Sequence, residues 1–273
     1  MLYENGGDGS VPIERLNGQE LYYDQAGSGE TIVFFHPPVL PSEIFRPQLE
    51  ELSRSFRIVV LDIRGHGHSA PTDGTWTFAD IIDDAVSLLD RLGLSRVWVC
   101  GYSAGAAIAF ELALHVPERV KGLIVIGPVP EVRGRALRAV VRFGAATASR
   151  GGIPLLAALG AWINTKRYSR FKALLRASRK TNGKDAAAFY REYLRYSCAD
   201  RLHRLQIPIL LVYGVKDHVF GAYADELLSR APDAHLAYVP NAKHEVPSVQ
   251  PRELNRLIAT FIAPYIEKRR DSR

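Results

Sequence analysis

A chain of 273 residues with 47% apolar and 23% charged side chains can bury a core that needs no staples, which excludes disordered, collagen-like and disulfide-scaffold classes. The formal charge of +6 is unevenly spread: residues 131–204 hold 17 Lys or Arg against 4 Asp or Glu, and the remainder 18 against 25. An acidic body argues against nucleic acid as a partner, while the basic stretch leaves room for anionic substrates or a weak contact with an anionic surface.

In chain order, residues 1–10 are polar and Gly-rich, without the basic-then-apolar pattern of a secretory leader. Alternation and β-branched runs predict strands over 12–16, 20–25, 31–36 and 56–62, with a helix over 44–52 before the fourth. A helix over 78–92 precedes a fifth strand over 97–102, and an Ala-rich helix over 104–115 ends ahead of Pro117. A sixth strand follows over 122–127. Runs such as Ile32-Val33-Phe34-Phe35 are apolar without alternation, the mark of strands covered on both faces of a parallel sheet.

The strand–helix alternation then stops. Residues 129–204 read as basic, Ala- and Leu-rich helices, among them 155–162 and 186–196, broken at Gly151-Gly152 and Asn182-Gly183. Alternation resumes with strands over 208–216 and 235–240 and helices over 222–229 and 251–268. The expected division is a core of 1–128 and 205–273 with a helical cap of 129–204 inserted after strand six. The longest apolar run, 152–163, is too short to span a bilayer. Cys100 and Cys198 show no paired spacing, and Cys100 lies in an apolar strand and reads as a structural thiol, which fits the reducing compartment of a cytoplasmic protein.

Gly101-Tyr102-Ser103-Ala104-Gly105 joins the fifth strand to the following helix. That places a serine on a sharp turn, where the glycines permit close packing and the helix start favours negative charge. A serine nucleophile needs a base, and the base needs a carboxylate. Of eight histidines, five follow strands, where function gathers in such a sheet: His36, His66, His68, His218 and His244. Asp217 follows the seventh strand and His244 the eighth, giving the order serine, acid, histidine that this elbow requires. Glu131 is the alternative acid, and His66 and His68 are alternative bases.

With these residues the chain resembles the α/β-hydrolase superfamily, specifically its cap-bearing serine members. Asp62-Ile63-Arg64-Gly65-His66-Gly67-His68-Ser69 is similar to the family's turn after strand four. Gly214-Val215-Lys216-Asp217 and Asn241-Ala242-Lys243-His244 are similar to its acid and histidine loops. The resemblance implies a mostly parallel eight-stranded sheet with helices on both faces, and a Ser103–His244–Asp217 triad cleaving a carboxylic ester or lactone. It excludes the dehalogenase and epoxide hydrolase members, which carry an aspartate where Ser103 stands.

The family's oxyanion donors would be the Ala104 N–H and one from the loop after strand three, which commonly begins His-Gly. Here it reads His36-Pro37-Pro38-Val39, and proline has no N–H to give. Val39 is the favoured replacement. A single donor, or a reaction without an acyl oxyanion, are the alternatives, the last pointing to a small-ligand receptor or a proton-abstracting enzyme. His36, Phe45 and Tyr102 are the expected pocket residues. No glycine-rich phosphate loop, cysteine set or His/Glu cluster points to a cofactor or metal, and none is expected.

Overall fold

The computed structural model describes residues 13–271, with 268–271 as backbone alone. Residues 1–10 and the first position of the expected strand 12–16 lie outside the described residues. The strands are β1 (Ile13–Leu16), β2 (Gln19–Ala26), β3 (Thr31–Phe35), β4 (Arg57–Leu61), β5 (Val97–Tyr102), β6 (Val120–Ile126), β7 (Ile209–Gly214) and β8 (Ala234–Val239). The helices are α1 (Arg46–Leu52), α2 (Phe78–Arg91), α3 (Ala104–His115), α4 (Arg135–Ser149), α5 (Ile153–Asn164), α6 (Tyr168–Ser178), α7 (Gly183–Arg195), α8 (Ala224–Arg230), α9 (Val246–Val249) and α10 (Pro251–Asp271).

The strands form one sheet in the order β1-β2-β4-β3-β5-β6-β7-β8. β2 is antiparallel to both β1 and β4, and every pairing from β4 across to β8 is parallel. The chain steps outward from β3 to β4 and then back across to β5, so strand order reverses between β3 and β5. In open α/β sheets the functional crevice lies outside the carboxyl ends of the strands at such a reversal. Ser103 follows β5, and the Pro37-Pro38 loop follows β3.

Pleating explains the unbroken apolar strands. Val33, Phe35 and Val99 join a core with α2 and α3, while Ile32, Phe34, Trp98 and Cys100 join another with α1 and α10. Successive side chains point to opposite faces, so a strand covered on both sides needs apolar residues at every position. Helix α3 is buried all round from Ala104 to Ala113, which its alanines allow by letting the helix approach the sheet closely.

Helices α4–α7 leave the sheet after β6 and return at β7, its parallel neighbour. The expected helix 44–52 begins as a 3₁₀ turn over Ser42–Phe45 and becomes α-helical at Arg46, beside Pro47. The last helix runs on through Pro264 to Asp271. The acid side chain of Asp185 on α7 is wholly buried and accepts from Trp76 Nε1 at 2.7 Å, Thr72 N at 2.9 Å and the Thr72 hydroxyl. It ties the inserted helices to the loop before α2. Among the described residues, no helix is long and apolar enough to cross a membrane.

Candidate active site

Ser103 sits between β5 and α3 with φ +55° and ψ −123°, a conformation costing a non-glycine residue about 1–3 kcal/mol. Packing holds it there. A Cβ at Gly101 would stand 2.5 Å from Gly105 O, and one at Gly105 would stand 2.2 Å from Phe35 O. Both elbow glycines are therefore required by close backbone approach. The side chain of Ser103 is left part-exposed in an otherwise buried run.

His244 Nε2 lies 2.8 Å from Ser103 Oγ, and His244 Nδ1 lies 2.9 Å from Asp217 Oδ2. An ionised carboxylate can only accept, so the Nδ1 proton faces Asp217 and the Nε2 lone pair faces the serine. The other carboxylate oxygen, Asp217 Oδ1, accepts from Phe220 N at 3.1 Å, which fixes the acid as well. The two loops are pinned together by Val215 N to Val239 O at 3.0 Å and Lys216 N to Ala242 O at 2.9 Å. Gly214 permits this contact, because a Cβ there would stand 2.0 Å from Lys243 O.

Sequence reasoning missed two residues that frame the imidazole. Phe220 stacks on His244 with ring centroids 3.7 Å apart and planes 20° apart. Gly127, at φ +58° after β6, faces its other parts: a Cβ there would stand 2.5 Å from His244 Cε1. Neither has a local signal, since each matters only once distant segments meet. Tyr102 was expected in the pocket; its ring lies 5.3 Å from that of His244, and its hydroxyl donates to Asn164 Oδ1 at the end of α5. Burial raises the Tyr102 phenol pKa above its ordinary range, with Glu245 and Asp217 adding to the effect, so the hydroxyl stays a donor.

Val39 is 2% exposed and adopts φ +70°, the left-handed region that a β-branched residue seldom enters. Among the described residues, neither its N–H nor that of Ala104 has a hydrogen-bond acceptor. Buried backbone donors are nearly always paired, so one unpaired at the elbow and another in the loop after β3 stand out. The Val39 side chain packs among Ala148, Ile153, Ala157, Ala186 and Ala187 of the inserted helices.

Two expected pocket residues belong to the core instead. His36 is wholly buried; its Nε2 accepts from Ile63 N at 2.9 Å and its Nδ1 donates to Pro37 O at 2.8 Å. Burial, with His66 nearby, pushes its pKa down to about 3. Phe45 is equally buried and packs on Phe34. The strand-end position of His36 suggested a pocket, but the ring turns back to brace two loops.

The alternative residues are engaged elsewhere. Glu131 pairs with Arg133 and accepts from the Ser197 hydroxyl. His66 Nδ1 bonds Arg64 O, His68 lies beside Asp62, and His218 is exposed. Asp62 accepts from Ser42 N at 2.7 Å and His68 N at 2.9 Å, and Arg64 clamps Asp84 of α2 with bonds of 2.5 and 2.8 Å.

A family model for the alpha/beta hydrolase fold matches residues 30–249. A Bacillus subtilis protein named as a 2-succinyl-6-hydroxy-2,4-cyclohexadiene-1-carboxylate synthase is 28% identical over 78% of this chain and 84% of its own. An (E)-2-((N-methylformamido)methylene)succinate hydrolase of Acinetobacter baylyi is 22% identical over 93% of this chain and 98% of its own. Among solved structures, an esterase from Thermogutta terrifontis superposes with a TM-score of 0.82 at 22% identity, covering 93% of this chain and 98% of that one. The reach of the family model over most of the sheet, together with the shared fold, shows that this chain belongs to the alpha/beta hydrolase family.

Proposed function

We propose that this protein is a serine hydrolase that cleaves a carboxylic ester or lactone through an acyl-enzyme. The observation that carries the reading is the unbroken hydrogen-bonded chain from Asp217 through His244 to Ser103. Ser103 attacks the carbonyl as His244 Nε2 takes its proton, and His244 returns that proton to the leaving alcohol. Asp217 holds the imidazole in the productive tautomer. Water then attacks the acyl group, with His244 again the base. The unpaired N–H groups of Ala104 and Val39 are the donors for the oxyanion, and the strained backbone of Val39 supports its half of that role. Residues 129–204 form the cap over a core of 1–128 and 205–273. Two free, buried thiols, Cys100 and Cys198, support a cytoplasmic setting.

The test is Ser103→Ala, which should lower hydrolysis of a short aryl ester or lactone by roughly 10⁴ or more. A variant that keeps most of its turnover would remove Ser103 from the nucleophile's role. Screening aryl esters of graded chain length together with lactones identifies the substrate for that comparison.

A second reading is favoured by Pro37-Pro38 and by a relative named as a synthase. In it His244 and Asp217 abstract a proton from a bound ligand, while Ser103 only donates a hydrogen bond. A fluorophosphonate separates the two: covalent labelling at Ser103 supports the hydrolase, and tight ligand binding without labelling supports proton abstraction.

A further inference from the structure

Helix α5, Ile153-Pro154-Leu155-Leu156-Ala157-Ala158-Leu159-Gly160-Ala161-Trp162-Ile163-Asn164, has no charged residue. Its inner side is buried through Ile153, Ala157 and Ala161. Its outer side carries Leu155, Leu159, Trp162 and Ile163, which are 52%, 43%, 72% and 52% exposed. At 100° per residue these four share one face. A helix with one apolar face in the core and another in water is left without a partner on its outer side.

The surroundings say what that partner is. Arg150 precedes the helix, and Lys166 and Arg167 follow it. A cleft of about 570 Å³ just beyond its end has five basic residues in its lining, Arg54, Lys166, Arg167, Arg170 and Arg252, against three acidic ones, Glu43, Glu50 and Glu51. Among the described residues, Arg54, Lys166, Arg167 and Arg252 meet no carboxylate, while Glu43 and Glu50 are bound by Arg46 and Arg170, and Glu51 accepts from Asn255. The whole inserted segment holds 17 basic against 4 acidic residues. A second copy docking face to face would bring two such segments together, so like charge opposes that occupant. An exposed tryptophan among leucines, rimmed by Lys and Arg, is the composition of a helix lying in a membrane interface.

We propose that the outer face of α5 docks on an anionic lipid bilayer. Trp162, Leu155 and Leu159 enter the headgroup–acyl boundary, and Lys166 and Arg167 meet lipid phosphates. The proposal does not depend on Ser103 chemistry, and it is tested without a substrate.

The full chain is mixed with vesicles of phosphatidylglycerol and phosphatidylcholine in equal parts, or of phosphatidylcholine alone. It should sediment with the first and not the second, and added salt should release it. Tryptophan emission should shift to the blue on binding, a signal that reports Trp162 because Trp76 and Trp98 are only 5% and 2% exposed. The double variant Trp162→Ala, Leu159→Ser should bind roughly tenfold or more weakly, and Lys166→Gln with Arg167→Gln should bind more weakly with less salt dependence. The blue shift in the native chain needs no variant, so an unfolded mutant does not rescue the idea. Absence of binding or of the shift, equal binding to both vesicles, or native-like binding by a folded double variant each overturns the proposal. So does a concentration-dependent dimer that Trp162→Ala converts to monomer, which would make a second copy the occupant.

Discussion

Phe220 and Gly127 meet the His244 ring from two segments, and each gives a sharp expectation. The stacked pair is worth about 0.5–1.5 kcal/mol beyond its area. Phe220→Ala should therefore lower kcat/KM on the identified ester by roughly two- to tenfold, with Phe220→Leu recovering part of it. Gly127→Ala should be far worse: its methyl would overlap an imidazole atom at 2.5 Å, and a displacement of about 1 Å in a catalytic group can cost roughly 10²-fold. Steady-state kinetics on folded protein check both, and a Gly127→Ala variant with native turnover would mean that the ring has another place to sit. The elbow was legible because its reasons are local: glycines two residues either side of Ser103, a strand before and a helix after. Gly127 was not, because its reason is a side chain 117 residues away (127 to 244). Phe220 reads as an ordinary loop aromatic until the turn after β7 folds it over the His244 ring.

The loop after β3 is braced to the loop after β4 by His36, and this connection titrates. The unfolded chain protonates His36 below about pH 6.5, whereas the folded chain refuses the proton until about pH 3. More protons on the unfolded side mean that stability is full above that window and falls as pH drops through it. The slope is about 1.4 kcal/mol per pH unit. His66, also pushed down by burial, adds in the same direction. Thermal unfolding followed from about pH 7 down to about pH 4 should show the decline, and His36→Gln should flatten it; an unchanged slope would clear His36 of the effect. Helix α7 has a comparable dependence on Asp185. Asp185→Ala strands the donors of Trp76 and Thr72, at about 1–3 kcal/mol for each unsatisfied group, and Asp185→Asn should cost less. Denaturant titration measures both. Sequence periodicity found α7, yet nothing in its pattern marked Asp185 as an anchor, since a carboxylate in a first turn ordinarily faces water.

For the whole molecule, strands β3 to β7 were legible almost to the residue because a doubly covered parallel sheet leaves a nearly unbroken apolar record, whereas β1 and β2 were read from alternation at the antiparallel edge. What could not be read was which residues at its carboxyl edge face the cleft and which turn inward, since both follow strands and both are polar. The two cysteines belong to this scale. Burial raises the thiol pKa of Cys198 to about 12 and that of Cys100 well above its usual value. Ellman's reagent should find no reactive thiol in native protein and both after denaturation, and rapid native labelling would show that the interior opens on that timescale.

One further consequence comes from the place where the sheet is interrupted. Cys198 N donates to Pro130 O at 2.8 Å and Glu131 bridges Ser197, so the chain departs and re-enters at adjoining points, and Asp217 and His244 come only after re-entry. The intervening helices can therefore be exchanged as a cassette without moving Asp217 or His244 relative to Ser103. A graft would have to keep a carboxylate for Trp76 and Thr72, an acceptor for the Tyr102 hydroxyl and small residues against Val39, which makes this segment the stretch to vary while Ser103, Asp217 and His244 stay in place.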